Sequence, residues 1–193
     1  MKEDESVIRR LLEEFGYSLL SRSRGYGKKG GGVAIMYRSE LIVTPPRKHK
    51  QYNTFEYLEA TISGKDVNRT TIAVVYSSPT RRRNSVFLED WEDFLHNFSE
   101  KKGSLVVGDF NVHVERPEDT LSSDFLGVLE DHGWKQMVQV PTHKDQGTLD
   151  LVITRAAGDS AGVTSINSEP IPHREIKSTW TNKNRSEQVI QGY

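Results

Sequence analysis

The chain has 193 residues, with 26 Lys and Arg against 27 Asp and Glu, a net charge of −1, and a hydrophobic fraction of 35%. That length suits one domain, and the near-neutral balance excludes a globally basic nucleic-acid footprint, leaving only local basic clusters for any polyanion. The absence of cysteine excludes disulfides and thiolate chemistry and fits an intracellular setting. No long uncharged apolar run suggests a membrane span, and the acidic start "MKEDESVIRR" lacks a signal-peptide core.

Residues 4–15 read as a helix, because Val7, Leu11 and Phe15 recur every four positions with Ile8 and Leu12 beside them. Gly16 is its expected stop. "YSLLSRS" (17–23) reads as a strand, followed by the basic glycine loop "RGYGKKGGG" and a second strand, "VAIMYR". "FEYLEATIS" and "TTIAVVY" flank "GKDVNR" as a hairpin. "NSVFLEDWEDFLHNF" (84–98) is the clearest helix: Phe87, Trp91, Phe94 and Phe98 share one face, and Asn84 or Ser85 can cap it. The acidic set on its other face, Glu89, Asp90, Glu92 and Asp93, reads as solvated surface.

A buried strand, "SLVV" (104–107), then runs into Gly108, Asp109, Phe110 and Asn111. "SSDFLGVLEDHG" is a further helix, and "TLDLVITR", "AGVTSIN" and "REIKSTWT" read as strands. Residues 1–181 form one expected domain, with a polar tail over 182–193 expected to fray. Strand pairs separated by single helices predict an α+β fold: two sheets with helices outside, a four-layered α/β/β/α sandwich.

"GYGKKG" (25–30) matches the spacing of a dinucleotide fingerprint, but a strand rather than a helix follows it, so a nucleotide cofactor is rejected. Lys28 and Lys29 in that loop, and Arg81, Arg82 and Arg83 after the strand ending at Tyr76, are candidate phosphate contacts. Asp150 sits between Leu149 and Leu151 inside an apolar strand. A carboxylate there is costly unless it is bonded or ligates something; the alternative is an edge strand whose Asp faces water. Thr148 is expected on the same side of that strand. His173 is a lone histidine before the last strand. No G-x-S-x-G elbow supports a serine hydrolase, and no histidine pair has zincin spacing.

The order "TTIAVVYSSP", "VVGDFNVH", "GTLDLVIT", then a His before a final strand, resembles the endonuclease/exonuclease/phosphatase superfamily. "GGGVAIMYR" and "VPTH…GTLDLVIT" are similar to the endonuclease domains of non-LTR (LINE-type) retrotransposons. The resemblance covers roughly Glu5 to Trp180. It implies a DNase I-like sandwich and Mg²⁺-assisted phosphodiester hydrolysis on DNA, with a reverse transcriptase domain as partner in a full-length relative. It also assigns roles. Tyr76 stabilises the reacting phosphate, and Asp109 holds the attacking water and the metal. Asn111 bonds a phosphate oxygen, Thr148 and Asp150 support the site, and His173 contacts the scissile phosphate. A phosphatase of the same superfamily, or a non-catalytic domain binding nucleic acid or protein through its basic loops, are the alternatives.

Two departures from the family pattern carry an expectation of weak or lost activity. The family opens with a strand bearing Asn and a second strand ending in a metal-binding Glu, often "ETW". Here the chain starts at the helix that would follow, which suggests an N-terminally truncated, decaying copy lacking the first strands. The family's closing Ser-Asp-His corresponds to Ile171, Pro172 and His173, and a proline cannot ligate. By the resemblance, Asn111, Tyr76, Asp150 and His173 would be the companions of an Asp109 nearly alone as a metal carboxylate. Mg²⁺ usually needs one or two carboxylates plus substrate phosphates.

Overall fold

The computed structural model describes residues 2–23, 32–65, 67–79, 84–99, 101, 103–155, 176–181 and 187–192, with side chains between residues 6 and 155. Lys28, Lys29, Arg81, Arg82, Arg83 and His173 lie outside the described residues, as do Ile171, Pro172 and the strand expected over 161–167.

The elements follow in chain order. Helix α1 (Lys2–Glu14) leads into strands β1 (Tyr17–Ser23), β2 (Gly32–Arg38), β3 (Ile42–Thr44), β4 (Glu56–Gly64) and β5 (Val67–Tyr76). Helix α2 (Asn84–Phe98) separates β5 from β6 (Ser104–Asp109), and α3 (Thr120–Asp131) precedes β7 (Trp134–Gln136) and β8 (Asp150–Arg155). Strands β9 (Ile176–Thr181) and β10 (Glu187–Gly192) close the chain.

Six strands form one mixed sheet in the order β3-β4-β5-β6-β8-β7. Among the described residues only β5 and β6 pair in parallel, and α2 is the crossover such a pair requires. One face of this sheet is buried under α2 and α3. Phe87, Trp91, Phe94 and Phe98 of α2 pack with Phe125 and Leu129 of α3 on Tyr57, Ala73, Val75, Val106 and Ile153. The aromatic spacing expected of α2 is thus the spacing of the core. Trp91 stacks on Phe125 at 5.4 Å and meets Phe110 edge-on at 5.1 Å, geometries that add to plain area burial.

The opposite face is covered in two halves. The β1–β2 hairpin sets Val33 and Ile35 on Leu58 and Ala60. Val138 and Val140 close over Ile72, Leu105 and Val152. Outside the hairpin lies α1, fastened by Arg9, whose guanidinium donates to the Leu19 carbonyl and to Ser21 Oγ at 2.9 Å. Helix, sheet, hairpin and helix make the four expected layers.

Four sequence expectations change. The apolar stripe of α1 stays exposed at Val7, Ile8, Leu11 and Phe15, because a two-stranded hairpin offers the helix no broad sheet to cover. Asp90 and Asp93 of α2 are not idle surface. Asp90 accepts the Thr54 hydroxyl at 2.7 Å, while Asp93 accepts Tyr52 Oη at 2.5 Å and Lys50 Nζ at 2.6 Å. Together they latch the segment before β4 to the helix. Strands β3 and β7 are each three residues long, too short to show a period. Finally, β10 forms inside the stretch expected to fray, pairing Val189 with Thr179 and Ile190 with Ser178 of β9.

Candidate active site at the ends of β5, β6 and β8

The sheet register itself assembles the site. Tyr76, the last residue of β5, is the Cα partner of Asp109, the last of β6. Asp109 is in turn the partner of Asp150, the first of β8. On the other side Tyr76 partners Glu56, the first residue of β4. Glu56, Tyr76, Asp109 and Asp150 therefore form one row across four adjacent strands, spanning about 14 Å at ~4.8 Å per strand.

Two residues with special backbone needs make this row possible. Gly108 sits at φ +149°, and a Cβ there would come within 1.8 Å of the Val75 carbonyl oxygen. Only glycine lets β6 approach β5 closely enough to bring Asp109 beside Tyr76. Asn111 adopts φ +51°, a left-handed turn that asparagine tolerates better than most residues. Between them Phe110 is fully buried against Trp91 and Phe125. The apolar residue of the motif is an anchor that fixes the carboxylate and the carboxamide on either side of it.

The carboxamide is turned inward. Asn111 Nδ2 donates to Asp109 Oδ1 at 2.8 Å and to the Ser77 carbonyl at 3.0 Å, and the Asn111 N–H also reaches Asp109 Oδ1 at 3.1 Å. Asn111 thus orients the Asp109 carboxylate. Ser77, buried directly after Tyr76, donates its N–H to the Asp109 carbonyl at 2.9 Å and ties the two strand ends together.

Asp150 is half-buried; β7 pairs only with Ile153–Arg155 of β8, and at Asp150 it is the 137–149 segment, through Thr142, that covers the strand, so the Asp does not stand on a water-facing edge. Burial, and then the neighbouring Asp109 charge, push its carboxyl up from 3.8 to about 6, against the stabilising Thr142 hydroxyl and His143. Thr142 is a hub: its Oγ1 accepts the N–H groups of Leu149 and Asp150, both at 3.0 Å. Thr148 precedes the strand. Its hydroxyl donates to the Val140 carbonyl at 3.3 Å and its N–H to Glu115 Oε2 at 2.9 Å, so it braces the 140–148 loop. Burial would raise the Glu115 carboxyl, but the Thr148 N–H and His113, 2.7 Å away, outweigh it and hold the group below its usual range.

Glu56, Ser77, Thr142 and His143 were not singled out from the sequence. Glu56 could be found only by extending the hairpin register of β4 on β5 back to its first pair. Thr142 and His143 lie in the "VPTH" stretch, whose contribution depends on how the loop folds back.

Two adjacent carboxylates and a carboxamide are hard oxygen donors of the kind a divalent cation such as Mg²⁺ prefers. A cation would also relieve the repulsion that raises Asp150. Among the described residues no cluster of three or more His, Cys, Asp or Glu forms a metal site, so the donor set is minimal. Among the described residues, too, no helix is long and apolar enough to cross a membrane.

Comparison with known proteins agrees with this architecture. The profile of the Endonuclease/Exonuclease/phosphatase family matches residues 2–176. The endonuclease domain of TRAS1, a telomere-specific non-LTR retrotransposon, is similar with a TM-score of 0.57 at 16% identity, over 72% of this chain and 64% of that domain. The chain thus spans less than two thirds of the TRAS1 domain. A humanized D. rerio TDP2 bearing 14 mutations is similar with a TM-score of 0.55 at 13% identity, over 80% of this chain and 68% of that one. A family protein from Bacteroides thetaiotaomicron gives 0.50 at 10% identity, over 94% and 75%. At such identities the likeness shows the shared fold. No curated protein matches.

Proposed function

The chain belongs to the endonuclease/exonuclease/phosphatase family, whose members are phosphodiester hydrolases, and we propose that it is an endonuclease-type member acting slowly on nucleic-acid phosphodiesters. The observation that carries this is the in-register row of Tyr76, Asp109 and Asp150, with Asn111 locked onto Asp109. Hydrolysis needs a carboxylate to hold water against phosphorus and donors near the oxygens that gain charge. Asp109, fixed by two Asn111 hydrogen bonds, is the water-holding carboxylate. Tyr76 stands next to it as the phenolic donor to a phosphate oxygen.

The family is generally metal-dependent. Asp109, with Asp150 beside it, would hold Mg²⁺, which when bound supplies positive charge to the phosphate oxygens. The chain's own contribution is to keep Asp109 in one orientation on a rigid strand end, through Phe110 below and Ser77 beside it. Pro172, standing in the sequence where the family pattern has an Asp before His173, removes a carboxylate and supports a low rate. DNA as substrate is supported by the similarity to a retrotransposon endonuclease domain and by the arginine cluster 81–83 in the sequence.

Plasmid nicking tests the proposal. With Mg²⁺ the protein should convert supercoiled to open-circular DNA slowly, and both EDTA and Asp109→Ala should abolish this. Equal nicking by wild type and Asp109→Ala, alongside salt-dependent DNA binding, would overturn catalysis in favour of a non-catalytic binding domain.

A further inference from the structure

A cleft far from the Asp109 row has the composition of an anion site. It has a volume of about 460 Å³ and is lined by Thr44, Pro45, Pro46, Arg47, Thr61, Ser63 and Arg69. Its floor is the part of the six-stranded sheet that α2 leaves uncovered. Along β4, Tyr57 packs under α2, and Glu59 meets Lys101 just past the helix end at 2.6 Å. The next residues on that face are Thr61 and Ser63. Thr44 of β3 is the register partner of Thr61, and Thr61 Oγ1 lies 3.3 Å from Thr71 Oγ1. The face thus changes from aromatic to hydroxyl-bearing where the helix stops.

Two arginines line the cleft with these residues, Arg69 from β5 and Arg47 from the segment after β3. Both residues are exposed, and among the described residues neither side chain has an ion-pair or hydrogen-bond partner. Several cations elsewhere are engaged, Lys50 with Asp93, Lys101 with Glu59, Arg116 with Glu115 and Arg155 with the Ser99 carbonyl; what sets Arg47 and Arg69 apart is that both line one concavity with hydroxyl-bearing residues. No carboxylate lines the cleft. Two arginines that share one concavity, with no carboxylate in its lining, give it a local excess of positive charge. An oxyanion neutralises that excess and uses the planar donor forks of the guanidiniums.

We propose that this cleft binds a phosphate group, with Arg47 and Arg69 as paired donors and the Thr44, Thr61 and Ser63 hydroxyls completing its contacts. It is separate from the Asp109 row, because Arg69 and Tyr76 lie seven residues apart on one strand, about 23 Å at ~3.3 Å per residue. The site therefore stands whether or not that row is catalytic. The phosphate comes either as the free ion or as part of a nucleic-acid backbone, and the two share the chemistry the arginines read.

The test is an NMR titration of the full 193-residue chain, following the amides of Thr61, Ser63 and Arg69. One arm uses inorganic phosphate and the other a short single-stranded oligonucleotide. Saturable shifts are expected with at least one probe. Arg47→Ala and Arg69→Ala should each weaken binding several-fold, and together at least tenfold, while Asp109→Ala leaves it unchanged. Response to phosphate identifies the free ion as sufficient; response to the oligonucleotide alone identifies the backbone as the source. Absence of a saturable shift with both probes, or equal affinity in the arginine variants, overturns the proposal.

Discussion

Replacing Asp150 with Asn should stabilise the folded chain at neutral pH, with a pH dependence that identifies the cause. Asp150 sits beside Asp109 in the register and is half-buried, and these two effects, burial first, lift its carboxyl from 3.8 to about 6. The folded chain therefore holds the Asp150 proton more tightly than the unfolded chain does. The resulting stabilisation is complete below pH 4 and is lost as the pH rises through 6. A displacement of about two units corresponds to about 3 kcal/mol at ~1.4 kcal/mol per unit, and residual solvent screening brings this to about 2–3. Asn carries no such penalty, so the gain of Asp150→Asn over wild type should grow by about 2–3 kcal/mol between pH 4 and pH 7.5. That is a rise in Tm of roughly 5–10 °C for a chain of this length. Urea denaturation at both pH values measures it. The Thr142 hydroxyl favours the charged carboxylate, and its effect is already contained in the net upward displacement. His49, which burial and then Arg22 push down to about 4, destabilises both proteins equally as the pH falls and cancels. A gain of the same size at both pH values, or none at either, would refute ionisation of Asp150 as the source of strain.

Gly108→Ala should be among the most damaging single changes in the chain, costing more than about 4 kcal/mol, because the new Cβ would collide with the Val75 carbonyl that lies 1.8 Å away; near-UV circular dichroism and urea unfolding would show lost tertiary structure. Tyr52→Phe should cost about 1 kcal/mol by removing the 2.5 Å bond to Asp93, and hydrogen exchange should accelerate at residues 48–55 while the β6 amides stay protected.

The sequence determined the lineage of elements and the identity of the central motif. The alternating four- and three-residue spacing of Phe87, Trp91, Phe94 and Phe98 fixed α2 and its buried face, since one helical turn takes 3.6 residues. Gly108 was legible as the break in an apolar run, with Asp109 and Asn111 as polar residues after it; that Gly108 and Asn111 both take positive φ came from the structure. Tertiary structure alone decided what those residues touch. Asn111 faces inward to Asp109, because the left-handed turn curls the amide back over the strand end. The carboxylates of α2 became a latch because the coil before β4 runs beside that helix, a contact between residues some 40 positions apart. Glu56 joined the row only through strand register, and Arg47 and Arg69 came to line one cleft only through the order of β3, β4 and β5 in the sheet. A sequence carries periods of two and 3.6 within each segment. Which strand ends lie side by side is set by pairing between segments, and that pairing decides which charges meet.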